Sequence, residues 1–126
     1  MDFRDKQAIY LQIAEHVSEQ VLLSRWPVGD KIPSVRELGS ELEVNPNTVM
    51  RSYEFLSQKG VISSKRGMGY FVTDDAPDKI KAYRREQFLE TDLPVFFKNL
   101  YLLGIDLTEI ETRYNQFIAT HYQPQP

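Results

Sequence analysis

Two helix-start signals, Ser34-Val35-Arg36-Glu37 and Asn45-Pro46, stand so close that only Glu43 and Val44 separate the helices they open. The first is a capping box, in which Ser34 accepts from the backbone N–H three residues on and Glu37 reaches back. Its helix runs to about Leu42, with Val35, Leu38 and Leu42 facing inward. Gly39 lies mid-helix at a cost of roughly 1 kcal/mol against alanine, and its bare backbone lets a second helix approach closely. The second signal pairs a good N-cap, Asn45, with a proline suited to the first helical position. That helix continues to about Lys59 with Val49, Tyr53 and Leu56 on one face, and Gly60 stops it. Two short helices with almost no linker must cross steeply, as a helix-turn-helix.

The flanking segments extend this unit. From about Ala8 to Ser24, Ile9, Ile13, Val17 and Val21 recur every four residues with Tyr10 and Leu22 beside them, which predicts an amphipathic helix. Trp26-Pro27-Val28-Gly29-Asp30 ends it. Past Gly60, Val61-Ile62-Ser63-Ser64 and Tyr70-Phe71-Val72-Thr73 read as strands joined by Lys65-Arg66-Gly67-Met68-Gly69, a hairpin with a basic tip. Helix, helix-turn-helix, hairpin is the order of a winged helix domain.

Asp74-Asp75-Ala76-Pro77-Asp78 reads as a polar linker, and beyond it the composition shifts. Eight aromatic residues lie between Tyr83 and Tyr122. A long helical pattern holds Leu89, Leu93, Phe96, Phe97, Leu100 and Leu103 at spacings of three and four, and Pro94 either kinks it or restarts it at Asp92. After Gly104, a cap at Asp106 with Glu109 three residues on opens a last helix through Ile110, Tyr114 and Phe117. The tail Gln123-Pro124-Gln125-Pro126 is expected to be disordered. The predicted fold class is α+β and mainly α: a winged helix-turn-helix DNA-binding domain over residues 1–75, then a two-helix dimerisation region over 76–126. Helices this rich in Phe, Tyr and Leu expose more apolar surface than one small domain covers. A symmetric homodimer through Leu89, Leu93, Phe96, Phe97, Leu100, Leu103, Tyr114 and Phe117 buries it. The alternative is that these helices fold back on the winged domain in a monomer.

Composition excludes several classes. The chain has 126 residues, 41% hydrophobic and 26% charged, which suits a globular domain with a modest appendage. It has no apolar run long enough for a transmembrane helix and a charged opening without a signal-peptide core, so a cytoplasmic protein without a membrane partner is expected. Cysteine is absent, which removes disulfides, thiolate metal sites and cysteine nucleophiles together. His16 and His121 have no catalytic or metal-binding partner at recognisable spacing, so neither an enzyme, a cofactor nor a metal site is expected. The net charge of −3 counts against phosphate binding. Between Lys31 and Val72, however, six basic residues face four acidic ones, so the acidic excess lies elsewhere.

The residues that can meet DNA follow from the motif. The N-terminal part of the second helix enters the major groove, and here it offers Asn45, Pro46, Asn47, Thr48 and Arg51. Asparagine can read adenine, threonine can bond phosphate or touch a thymine methyl, and arginine can take guanine or phosphate. Arg36 is placed to grip the backbone beside the groove. Lys65 and Arg66 at the hairpin tip can enter the minor groove, with Gly67 allowing close approach. Each also has a plainer reading: Asn45 as a helix cap, Arg36 as a solvated charge beside Glu37, Lys65 and Arg66 as loop-tip solubility. A winged helix used for protein contacts is the competing class, but that face should carry apolar anchors.

The stretches Ile9-Tyr10-Leu11-Gln12-Ile13, Val28 through Leu38, Val44-Asn45-Pro46-Asn47-Thr48-Val49 and Arg66-Gly67-Met68-Gly69-Tyr70-Phe71-Val72 resemble the N-terminal domain of GntR-family regulators. The resemblance covers about Gln7 to Val72. It implies DNA contacts at Arg36, Asn45, Asn47, Thr48, Arg66 and Gly67. Pro46 stands where some branches carry a DNA-reading arginine, and Ala8 where a proline is common. The short C-terminal region is similar to that of the YtrA-like subfamily, which implies a dimer through two helices and a repressor of a palindromic operator, often of a transporter operon. A region this small leaves no room for an effector pocket of roughly 300 Å³ or more, so a small-molecule effector either sits at the dimer interface or does not exist.

Overall fold

In a computed structural model, which describes residues 7–122, the stripe of Ile13, Val17 and Val21 forms the buried face of helix α1 (Ile9–Leu22). The charged opening at residues 1–6 and the tail at 123–126 lie outside the described residues. Ile9, expected to begin that stripe, remains 57% exposed. It borders the surface cleft described below instead of the core.

Helix α2 (Val35–Leu42) carries the full capping box. The Glu37 amide donates to the Ser34 hydroxyl at 3.1 Å and the Ser34 amide to the Glu37 carboxylate at 2.9 Å. The Ser34 amide first, and then the Ser34 hydroxyl, favour the ionised carboxylate and hold its pKa below the usual carboxylate value. Helix α3 (Pro46–Gln58) begins as the sequence indicates, with the Asn45 side chain accepting from the Asn47 amide at 2.8 Å. The turn between them bends through Glu43, which adopts a left-handed conformation (φ 58°), an uncommon choice for a residue with a Cβ.

Gly39 makes that turn possible. A Cβ there would lie 2.9 Å from the Val44 carbonyl oxygen and 3.4 Å from the Pro46 nitrogen. The close approach expected from a second helix is therefore made by the turn itself, whose backbone folds back onto α2. Replacing Gly39 with alanine gains roughly 1 kcal/mol of helix propensity, but it forces backbone apart in a packed core at about 1–3 kcal/mol. The clash should win: Gly39→Ala is expected to lower the urea midpoint, and a raised midpoint would show that the turn relaxes freely.

Strands β1 (Ile62–Lys65) and β2 (Gly69–Val72) pair antiparallel with Ile62 opposite Val72 and Lys65 opposite Gly69. The loop before α2 adds to this hairpin. The Ile32 amide donates to the Tyr70 carbonyl and the Val72 amide to the Asp30 carbonyl, with Lys31 bridged to Phe71. Leu38, Val49, Tyr53, Leu56, Val61 and Val72 meet α1 in one core.

The expected linker at 74–78 is instead the start of helix α4 (Ala76–Gln87). Pro77 falls in its first turn, where a missing N–H costs nothing. Ala76 and Ile80 are fully buried in the same core, and the Tyr83 hydroxyl shares a 3.0 Å hydrogen bond with Ser18 of α1. The first compact unit accordingly runs through Arg85 and the second begins at Glu86, ten residues beyond the boundary that composition suggests.

In the second unit, Phe88–Asp92 form a π turn, followed by α5 (Leu93–Leu103) and α6 (Leu107–His121). As one of the two expectations had it, a new helix restarts after Asp92, without a side-chain cap, and Pro94 falls in the first turn. Its ring conflicts with the carbonyl four residues back, and the turn widens so that the Leu93 amide reaches the Phe88 carbonyl, five residues back. Gly104 closes α5, and the Asp106 side chain caps α6 by accepting from the Glu109 amide. Glu109 does not reach back to complete a box; it pairs with Arg113 at 2.9 Å.

Candidate nucleic-acid interface

The buried face of α3, made by Val49, Ser52, Tyr53 and Leu56, dictates which residues point outward. Asn47 and Arg51 sit four apart on the opposite face, with Thr48 beside them and Met50 and Glu54 also exposed. Asn45, Pro46 and Asn47 are exposed and Thr48 is half-buried. The Asn45 side chain is committed to its cap, which leaves Asn47, Thr48 and Arg51 as the polar groups free to meet a ligand. Asn45, Asn47, Thr48 and Arg51 share one shallow cleft of about 360 Å³ with the first turn of α1.

Arg36, in the first turn of α2, is exposed, as are Lys65, Arg66 and Gly67 in the wing. Among the described residues the ion pairs are Lys79 with Asp75 and Arg113 with Glu109. Among those residues, none of Arg36, Arg51, Lys65 and Arg66 therefore has a carboxylate at salt-bridge distance. Two of these cations rest on aromatic rings instead. The Arg51 guanidinium lies 4.0 Å from the centre of the Tyr10 ring, and the Lys65 ammonium lies 4.5 Å from that of Phe71. Such contacts orient a cation without neutralising it. Gly67 takes the turn at φ 75° with open space about it.

Sequence reasoning passed over Lys31. Its pairing with Phe71 places it at the root of the wing, and its stem crosses Gly69, where a Cβ would lie 3.0 Å from the lysine Cε. It also contributes to the low Glu37 pKa, which puts a third wing cation near the start of α2. The available signal was its place beside Ile32, which Pro33 holds out of the helical region. Met50 was also missed; its sulfur accepts a 3.6 Å contact from the Tyr70 hydroxyl, joining α3 to the wing.

The candidate dimerisation residues divide. Leu100 is buried and Leu93 half-buried, whereas Leu89, Phe96, Phe97, Leu103, Tyr114 and Phe117 are all exposed. His16 stands edge-on to Trp26, and His121 stacks on Phe117 at 4.1 Å. Among the described residues, no helix is long and apolar enough to cross a membrane, and no acidic or histidine cluster could hold a metal.

Comparison with known proteins agrees with this geometry. The profile of bacterial regulatory proteins of the gntR family matches residues 9–72. The HTH-type transcriptional regulator YhcF of Bacillus subtilis is 34% identical over 110 residues, 86% of this chain and 88% of that protein. The HTH-type transcriptional repressor YtrA of the same organism is 40% identical over 76 residues, but these span only 60% of this chain and 58% of the repressor. Among solved structures, a GntR family transcriptional regulator from Listeria monocytogenes superposes with a TM-score of 0.71 at 30% identity, covering 92% of this chain and 98% of its own. The chain thus belongs to the gntR family of bacterial regulatory proteins, as a DNA-binding transcription regulator with a winged helix-turn-helix and a short helical C-terminal region.

Proposed function

We infer that this regulator is a repressor that binds a palindromic operator as a homodimer. The observation that carries the reading is the outward face of α3, where Asn47, Thr48 and Arg51 stand exposed or half-exposed, with no carboxylate partner for Arg51 among the described residues. In that role Asn47 reads a base edge in the major groove, Thr48 bonds a phosphate or a thymine methyl, and Arg36 grips the backbone beside α2. Asn45 and Pro46 set the helix start. Lys65 and Arg66 neutralise phosphates from the wing, Gly67 lets the tip approach, and Lys31 joins them.

The apolar faces of α5 and α6 make the dimer, through Leu89, Leu93, Phe96, Phe97, Leu100, Leu103, Tyr114 and Phe117. Two copies then present two recognition helices to half-sites about 34 Å or a multiple apart. The name of the YtrA repressor supports repression, and control of a transporter operon is the role its subfamily suggests. The protein works from the cytoplasm without a cofactor.

Titration into fluorescent duplex from its own upstream region, at two salt concentrations, tests the reading. Binding should be sequence-selective and fall steeply with salt. Arg36→Ala should weaken all duplexes alike by about fivefold to tenfold and lower the salt slope by about one contact, whereas Thr48→Ala should weaken binding by about threefold to tenfold. If wild type prefers neither this duplex nor any drawn from a random pool, the reading fails.

A further inference from the structure

Tyr10 lies in the first turn of α1, an element that otherwise serves as scaffold, yet its contacts belong to the recognition helix. The Arg51 guanidinium stacks on its ring at 4.0 Å. The Ser52 hydroxyl donates to its carbonyl at 2.6 Å, which ties the first turn of α1 to the same turn of α3. Phe55, one turn further along α3, meets the ring edge-on at 6.3 Å. Ser52 thus anchors the Tyr10 backbone and Phe55 its ring edge, while the ring face carries a cation.

This arrangement decides where Arg51 can act. On α3 the outward face opposite the buried set runs through Asn47, Arg51 and Glu54, and Ser52 marks the side packed against α1. Stacking on Tyr10 draws the guanidinium from that face toward the α1 side, over the cleft that Asn47 and Thr48 also line. A recognition helix meets base edges along its middle and the phosphate backbone along its flanks. An arginine held in advance also loses less rotamer freedom on contact than one free in solvent.

On the DNA-binding reading above, we propose that Tyr10 is a positioning residue whose ring holds Arg51 at the α1 flank of the recognition helix, where the guanidinium takes a backbone phosphate and not a guanine edge.

The test is a double-mutant cycle on the full chain, using the duplex that wild type recovers from a random-sequence pool. Thermal unfolding is followed in parallel, so that each comparison is made on folded protein. Arg51→Ala is expected to weaken binding about fivefold to tenfold, to do so equally on the selected duplex and on single-base variants of it, and to lower the salt slope by about one phosphate contact. Tyr10→Leu should weaken binding about threefold to fivefold in the wild-type background and less than about twofold in the Arg51→Ala background, because the two residues act as one unit. Tyr10→Phe keeps the ring and should restore wild-type affinity. Additive losses would overturn the positioning role, as would a Tyr10→Phe defect equal to that of Tyr10→Leu. An Arg51→Ala defect confined to one base position would overturn the phosphate assignment. Failure of wild type to recover any duplex would instead remove the DNA-binding reading, and this assignment with it.

Discussion

A chain carrying Phe96→Asp and Leu103→Asp is expected to sediment as a monomer and to bind its operator about 100-fold more weakly than the native protein, or worse. Both residues lie on one stripe of α5 with Leu100, and both are exposed, Phe96 at 41% and Leu103 at 71%. Around them Tyr101 is 86% exposed, Leu102 66% and Phe97 52%, and α6 buries no residue at all. A soluble helix rarely leaves so much aromatic and aliphatic surface in water unless a second surface covers it. Two carboxylates brought into such an interface would be stripped of water beside like charges from the symmetry mate. Binding suffers more than association alone suggests. In a dimer the second half-site is met at an effective concentration near the millimolar range, an advantage that a monomer forfeits. Trp26, the only tryptophan, lies in the first unit against His16, so its fluorescence reports whether the winged domain stays folded. A variant that remains dimeric would place the interface elsewhere in the chain. A monomer with native affinity would show that one recognition helix suffices.

The helix-turn-helix was legible because its signals are local. Ser34 with Glu37, and Asn45 with Pro46, each bond within a few residues of themselves, so sequence spacing alone places the caps. The outward set on α3 followed from the inward set, since Val49, Tyr53 and Leu56 leave only one free face. What escaped depends on distant partners. Asp74 through Asp78 read as linker because proline and aspartate signal a break, but Ala76 and Ile80 find a core already built by the preceding elements, and Tyr83 finds Ser18, sixty-five residues away. The π turn at Phe88–Asp92 is a compromise between Pro94 and helix continuity on both sides. Periodicity with a fixed step has no way to express that compromise. Lys31 escaped for the same reason as α4: its importance comes from Phe71 and Gly69, which lie far along the chain.

Tyr53→Ala should cost about 3–5 kcal/mol, a large part of the 5–15 kcal/mol that a domain of this kind has in total. The side chain is fully buried, and it touches three of the parts that form the interface. Its hydroxyl donates to the Pro33 carbonyl at 2.7 Å, just before the cap of α2. Its ring meets Tyr70 of β2 edge-on at 4.9 Å, and its own backbone belongs to α3. Losing it opens a cavity where α2, α3 and the wing converge, so operator binding should fall with stability even though Tyr53 touches no DNA. Tyr53→Phe separates the two roles: the ring stays, the Pro33 carbonyl loses its donor, and about 1–2 kcal/mol should go. The same residue predicts an alkaline limit. Burial first, then the nearby Tyr70, Glu37 and Glu41, push its pKa well above the ordinary value. A phenol raised in the folded state is neutral there while the unfolded chain ionises near pH 10. Its stabilising contribution is therefore complete below about pH 10 and is lost as pH rises further. Tyr53→Phe cannot ionise at this position, so its stability should fall less steeply than that of wild type between about pH 10 and 12. Parallel slopes for the two proteins in urea titrations across that range would show that other groups set the alkaline limit.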